Sequence, residues 1–188
     1  MGWFSGRKKR TDQTRAIFSR HVDGDFTLYP LGEGNATEAE VQALGKSLGV
    51  RFPDEFIDHV SGEFPGAIVL AAERVWPRPQ PLQVAPFWQF LYGVHSFTPL
   101  TTSEDWMRMD VVGSQFQSQT GHAAVPILKR IGDANVYCAD SEGHILEFDH
   151  EMNTLEPIEL GFWALLEREV CELVERKNRL IAERDRTA

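Results

Sequence analysis

The sequence predicts an α+β domain: a single, mostly antiparallel sheet with helices packed on one side of it. Three observations lead there. Residues 125–149 alternate three short apolar runs, VPILKRI, ANVYCAD and HILEFD, with glycine-containing turns at 132–133 and 141–143, the pattern of an antiparallel meander. Segments 37–48 and 162–182 instead carry their apolar residues at helical spacing. The 188 residues, 42% hydrophobic, are also enough to bury a core without disulfides or metal.

The elements follow in order. Residues 1–24 read as a flexible basic tail, with Trp3 and Phe4 beside the cluster Arg7, Lys8, Lys9 and Arg10. The domain proper is expected over 25–184, with a short tail at 185–188. Asp25 to Tyr29 suit a short strand before a glycine-rich turn. Thr37 and Glu40 form the capping-box pattern T-x-x-E, so a helix starts there; Val41, Leu44 and Leu48 give it one apolar face. A second helix is predicted near 53–61, with Pro53 in its first position. Ala67 to Ala72 read as a buried strand. Residues 73–86, with prolines at 77, 79, 81 and 86, read as a stiff exposed connection. The aromatic stretch 87–92 is expected to face the core, and 94–97 to form a strand. Ser103 is a candidate cap for a helix through Phe116, in which Trp106, Met109, Val112 and Phe116 recur at helical spacing. After the meander, a helix from Phe162 to Ala182 buries Leu166, Val170, Leu173 and Leu180. Its other face carries the i,i+4 pairs Glu172–Arg176 and Glu175–Arg179.

Composition narrows the functional classes. Net charge is −9, yet residues 1–20 hold six basic groups and one acid, so the remainder is strongly acidic. An acidic body repels nucleic-acid phosphates and favours a basic partner. Two cysteines are too few for a disulfide framework and suit a reducing compartment. No apolar run approaches a membrane span, and the basic N-terminus lacks the apolar region of a secretory signal. A cytoplasmic protein that binds neither nucleic acid nor membrane is expected. Phosphate-cradle, dinucleotide, nucleophile-elbow and metalloprotease patterns do not occur, and no cofactor is expected. Cys138, His144 and His150 could in principle hold zinc for a small metal-dependent hydrolase. Their spacing of six and six matches no common zinc pattern. The cluster Asp149–His150–Glu151 reads more simply as a polar strand end.

Three segments carry a family resemblance. These are ATEAEVQALGKSLGVRFPDEFIDHVSG at 36–62, VPILKRIGDANVYCADSEGHILEFDHE at 125–151, and the closing amphipathic helix. In that order they resemble the SUKH superfamily of bacterial immunity proteins and fungal cell-wall-synthesis regulators. The L-G-V-x-F-P-D-E-F stretch is the most specific part; Phe52 stands where the family more often has Leu, and 73–118 matches nothing in the general pattern. The resemblance implies a non-enzymatic binding module with no catalytic residues. It acts either as an immunity-type protein that neutralises a cognate toxin domain, a nuclease for instance, or as a regulatory adaptor for an endogenous protein. The candidate contact residues are one loop tryptophan, Trp76, and the loop acids Glu73, Asp105, Asp133, Asp149 and Glu151.

Overall fold

The structure, a computed structural model, describes residues 13–79 and 84–187. Trp3, Phe4, the basic cluster at 7–10 and Pro81 lie outside the described residues. Seven strands form one sheet: β1 Phe26–Pro30, β2 Ala67–Ala71, β3 Gly93–Ser96, β4 Val125–Ile131, β5 Val136–Ala139, β6 Ile145–Asp149 and β7 Thr154–Pro157. They lie in chain order, and every neighbouring pair is antiparallel. The α+β class and the meander stand, and β7 extends the sheet by one strand. That strand is hard to see in sequence, because an edge strand that keeps Thr154 and Glu156 exposed and ends in Pro157 lacks apolar alternation. At the β4–β5 turn, Gly132 has φ +93, and a Cβ there would collide with the Phe90 carbonyl, so only glycine fits.

The helices are α1 Gln13–His21, α2 Glu38–Ser47, α3 Asp54–Val60, α4 Met109–Thr120 and α5 Phe162–Thr187. At α2 the box is complete: Glu40 N donates to Thr37 Oγ1 over 3.3 Å, and Thr37 N donates to Glu40 Oε2 over 2.7 Å. Pro53 precedes α3 as its cap residue and does not open its first turn. On α5, Phe162, Leu165, Leu166, Val170 and Leu173 are all buried, an apolar stripe laid across the sheet.

Four expectations are corrected. Residues 13–21 are no tail but a helix, whose Ile17 and Phe18 are buried and which packs on α5. The C-terminal helix runs on to Thr187, through what reads as a tail. The helix expected from Ser103 starts at Met109, after a short 3-10 turn at Asp105–Met107. Trp106 therefore never joins the helical stripe. Finally, the helices do not all lie on one side. Tyr137 and Cys138 alternate across β5: Tyr137 meets Glu169 of α5, whereas Cys138 packs with Phe116 of α4 and Phe148 on the opposite face.

The face under α5 is closed, and both Tyr137 and His59 find hydrogen-bond partners there. Tyr137 Oη donates to Glu169 Oε1 over 2.6 Å, and Arg168 Nη2 donates to the same oxygen over 3.1 Å. His59 sits among Phe56, Phe162 and Trp163. One ring nitrogen bonds Thr14 Oγ1 over 2.9 Å and the other Ser96 Oγ over 2.8 Å.

Candidate functional site: a groove on the open face of the sheet

The opposite face is covered at one end only. Register sets one row of side chains across all seven strands on that face: Tyr29, Ile68, His95, Lys129, Val136, Phe148 and Leu155. Helix α4 covers the Phe148 end through Phe116, whose ring meets that of Phe148 edge-on at 4.9 Å. Between α4 and the bare middle of the sheet runs a groove of about 570 Å³ that is open to solvent. Ile68, Leu70, His95, Lys129, Ile131 and Val136 make its floor, while Trp106, Val112, Gln115, Phe116 and Gln119 wall one side.

Two polar groups interrupt that apolar floor. His95 is only 2% exposed, and its Nε2 is buried without a hydrogen-bond partner. Its ring lies against Phe97 at 4.4 Å and Trp106 at 5.4 Å. Burial, helped by the charge of Lys129, lowers its pKa to about 3, so the imidazole is neutral at physiological pH. Lys129 is the cross-strand neighbour of His95. Burial lowers its pKa too, partly offset by Asp133. Among the described residues its ammonium makes no hydrogen bond or ion pair. Trp106 stands at the mouth, 52% exposed, with Nε1 donating to Glu104 Oε2 over 2.7 Å.

The predicted contact residues fall into two sets. Asp105, Asp133, Asp149 and Glu151 each adjoin a groove-lining residue in sequence: Trp106, Ala134 and His150. Asp105 and Asp133 are ion-paired with Arg108 and Arg130, and Asp149, next to groove-facing Phe148 on β6, points to the other face and accepts from the backbone of Glu151 and Met152. Asp133 is no exposed loop acid: its side chain is 10% exposed. Glu73 is exposed but lines no part of the groove. Trp76 is corrected outright. It is 1% exposed, packed edge-on against Trp88, with Nε1 donating to Gln89 O, and offers no surface to a partner. Among the described residues the exposed tryptophan is Trp106, which helical spacing assigns to the core. Phe87, expected to face the core, is exposed as well. His95 and Lys129 were legible only as polar residues interrupting the apolar runs GVHSF and VPILKRI.

Among the described residues the candidate groups for metal or nucleophile chemistry do not assemble. His144 opens β6 and His150 follows its end, about 20 Å apart at ~3.3 Å per residue. The Cys138 thiol is buried, and burial pushes its pKa up. The three cannot share a metal, and no group of three or more His, Cys, Asp or Glu placed to hold one occurs among the described residues. Cys171, His21 and Glu167 have the composition of a nucleophile triad. The sulfur, however, sits 3.6 and 3.7 Å from the two ring nitrogens, favouring neither, and burial together with Glu167 and Glu175 raises the thiol pKa. That is the opposite of activation.

No helix among the described residues is long and apolar enough to cross a membrane. Compared with protein-family models, curated proteins and solved structures, the chain matches none of them.

Proposed function

We propose that this chain is a non-enzymatic protein-binding module of SUKH-like fold, and that it serves as an immunity-type protein that binds and neutralises a basic toxin domain. The observation that carries the reading is the open sheet face: an apolar floor beside a half-exposed tryptophan, on a molecule of net charge −9. A large exposed aromatic over an apolar patch with a polar rim is the usual anatomy of a protein interface. The net negative charge would steer a basic partner and raise its association rate roughly 10- to 1,000-fold at low salt.

The test is affinity capture from the source cell with the wild-type chain and with Trp106→Asp, followed by co-expression with whatever is captured. The reading expects a basic polypeptide held by the wild type, lost from the variant, and toxic to cells only when expressed without the wild-type chain. Capture by both proteins alike would remove the open face from the model. A non-toxic regulatory protein held through the same face would replace the immunity role with an adaptor role.

A further inference from the structure

The apolar floor alone would suit any greasy side chain, but a lone cation in its middle is selective. Lys129 has Val136 and His95 as cross-strand neighbours and Ile131 two residues along on the same face. Asp133 acts on this half-buried ammonium through space without contacting it, so the site has room for an anion in direct contact. His95 Nε2, buried without a partner beside it, offers a second polar contact to that anion once Trp106 gives way. The anion must carry an apolar group close to its charge, because apolar side chains surround the lysine. A polypeptide C-terminus has this chemistry: carboxylate and last side chain share one Cα. Aspartate and glutamate side chains present the carboxylate at a polar tip instead.

We infer that the groove receives the C-terminal end of a partner polypeptide, with its α-carboxylate on Lys129 and an apolar last side chain on the floor beside Ile131 and Val136. This rests on the reading of the open face as a protein-binding surface. The groove, about 570 Å³, lies within the ~300–1,000 Å³ typical of ligand sites and suits one or two apolar residues. Its open mouth lets the rest of the chain leave. The net charge of −9 disfavours further negative charge, so the residues before the terminus are neutral or basic.

The probe is a fluorescein-labelled Lys-Ser-Gly-Val-Phe peptide, as free acid and as C-terminal amide, titrated by anisotropy into the full chain, with decanoate as competitor. The free acid binds more tightly than the amide by about tenfold or more, the weight of a charge-assisted hydrogen bond. Lys129→Met abolishes the difference and Lys129→Arg keeps it, with thermal melts showing both variants folded. Equal binding of acid and amide, or binding of neither, overturns the inference. Decanoate binding without peptide binding also overturns it, in favour of a free amphiphile. A partner captured through Trp106 whose affinity survives deletion of its last residues sinks this inference and leaves the protein-binding reading intact. Peptide binding with no partner lost on Trp106→Asp does the reverse.

Discussion

Strand β3 separates two chemistries. Ser96 points to the closed face, where it bonds His59 at 2.8 Å and the Ala67 backbone N–H at 2.9 Å. His95, one residue earlier, points to the open face with its Nε2 unpartnered. Both histidines are buried, and burial holds both pKa values down near 3. They differ in partnership. The closed face satisfies the His59 imidazole internally, through Thr14 and Ser96. The open face leaves the His95 nitrogen unsatisfied, at a cost in stability, and so retains the capacity to bind.

Substitutions can break or sharpen this contrast. The largest effect is expected from Glu169→Ala, which leaves the Tyr137 hydroxyl and Arg168 without their carboxylate. Loss of one member of a buried ionic network costs about 3–5 kcal/mol, readable by urea denaturation. Next comes acid. Each histidine with a depressed folded pKa binds its proton more readily in the unfolded chain, so stability is complete above about pH 6.5 and falls as pH drops towards 3. The loss is about 1.4 kcal/mol per pH unit for each residue, or about 3 for the two together. Denaturant midpoints at pH 7, 6 and 5 would show it; a flat profile would mean that water reaches both rings. His59→Phe removes the bonds to Thr14 and Ser96 and is expected to destabilise by about 1–3 kcal/mol. The same change at His95 removes an unpartnered group from an apolar setting and is expected to be neutral or to stabilise by up to about 1 kcal/mol. Equal losses at the two positions would erase the distinction between the faces. Smallest of all, Trp106→Asp should move stability by no more than ~0.5 kcal/mol, because the residue is half exposed in a 3-10 turn, while removing binding.

The sequence was most legible where local chemistry decides structure. The Thr37–Glu40 box and the glycine turns of the meander are read by nearest neighbours, and they stand as expected. Helix α1 was hidden because QTRAIFSRH is mostly polar, and its Ile17 and Phe18 gain meaning only against α5, some 150 residues away. The two tryptophans were exchanged for a related reason. Trp76 lies in a proline-rich loop that reads as exposed, yet the loop folds it onto Trp88. Trp106 fits a helical stripe by spacing, yet the helix begins three residues later. Of the groove, sequence marked only loop acids that neighbour its lining, since such acids announce themselves singly. Its floor is gathered from four strands, and no short window of sequence shows that His95 and Lys129 are neighbours.

The order of elements also shapes how the chain is made. All seven strands precede α5, the helix that covers the closed face. On the ribosome the sheet is therefore complete in sequence before α5 can cover Val69, Val94 and Leu128, and they wait until the 26-residue segment Phe162–Thr187 has emerged. A nascent chain in that condition offers an apolar surface to chaperones, and α5 arrives as a lid on a sheet already made.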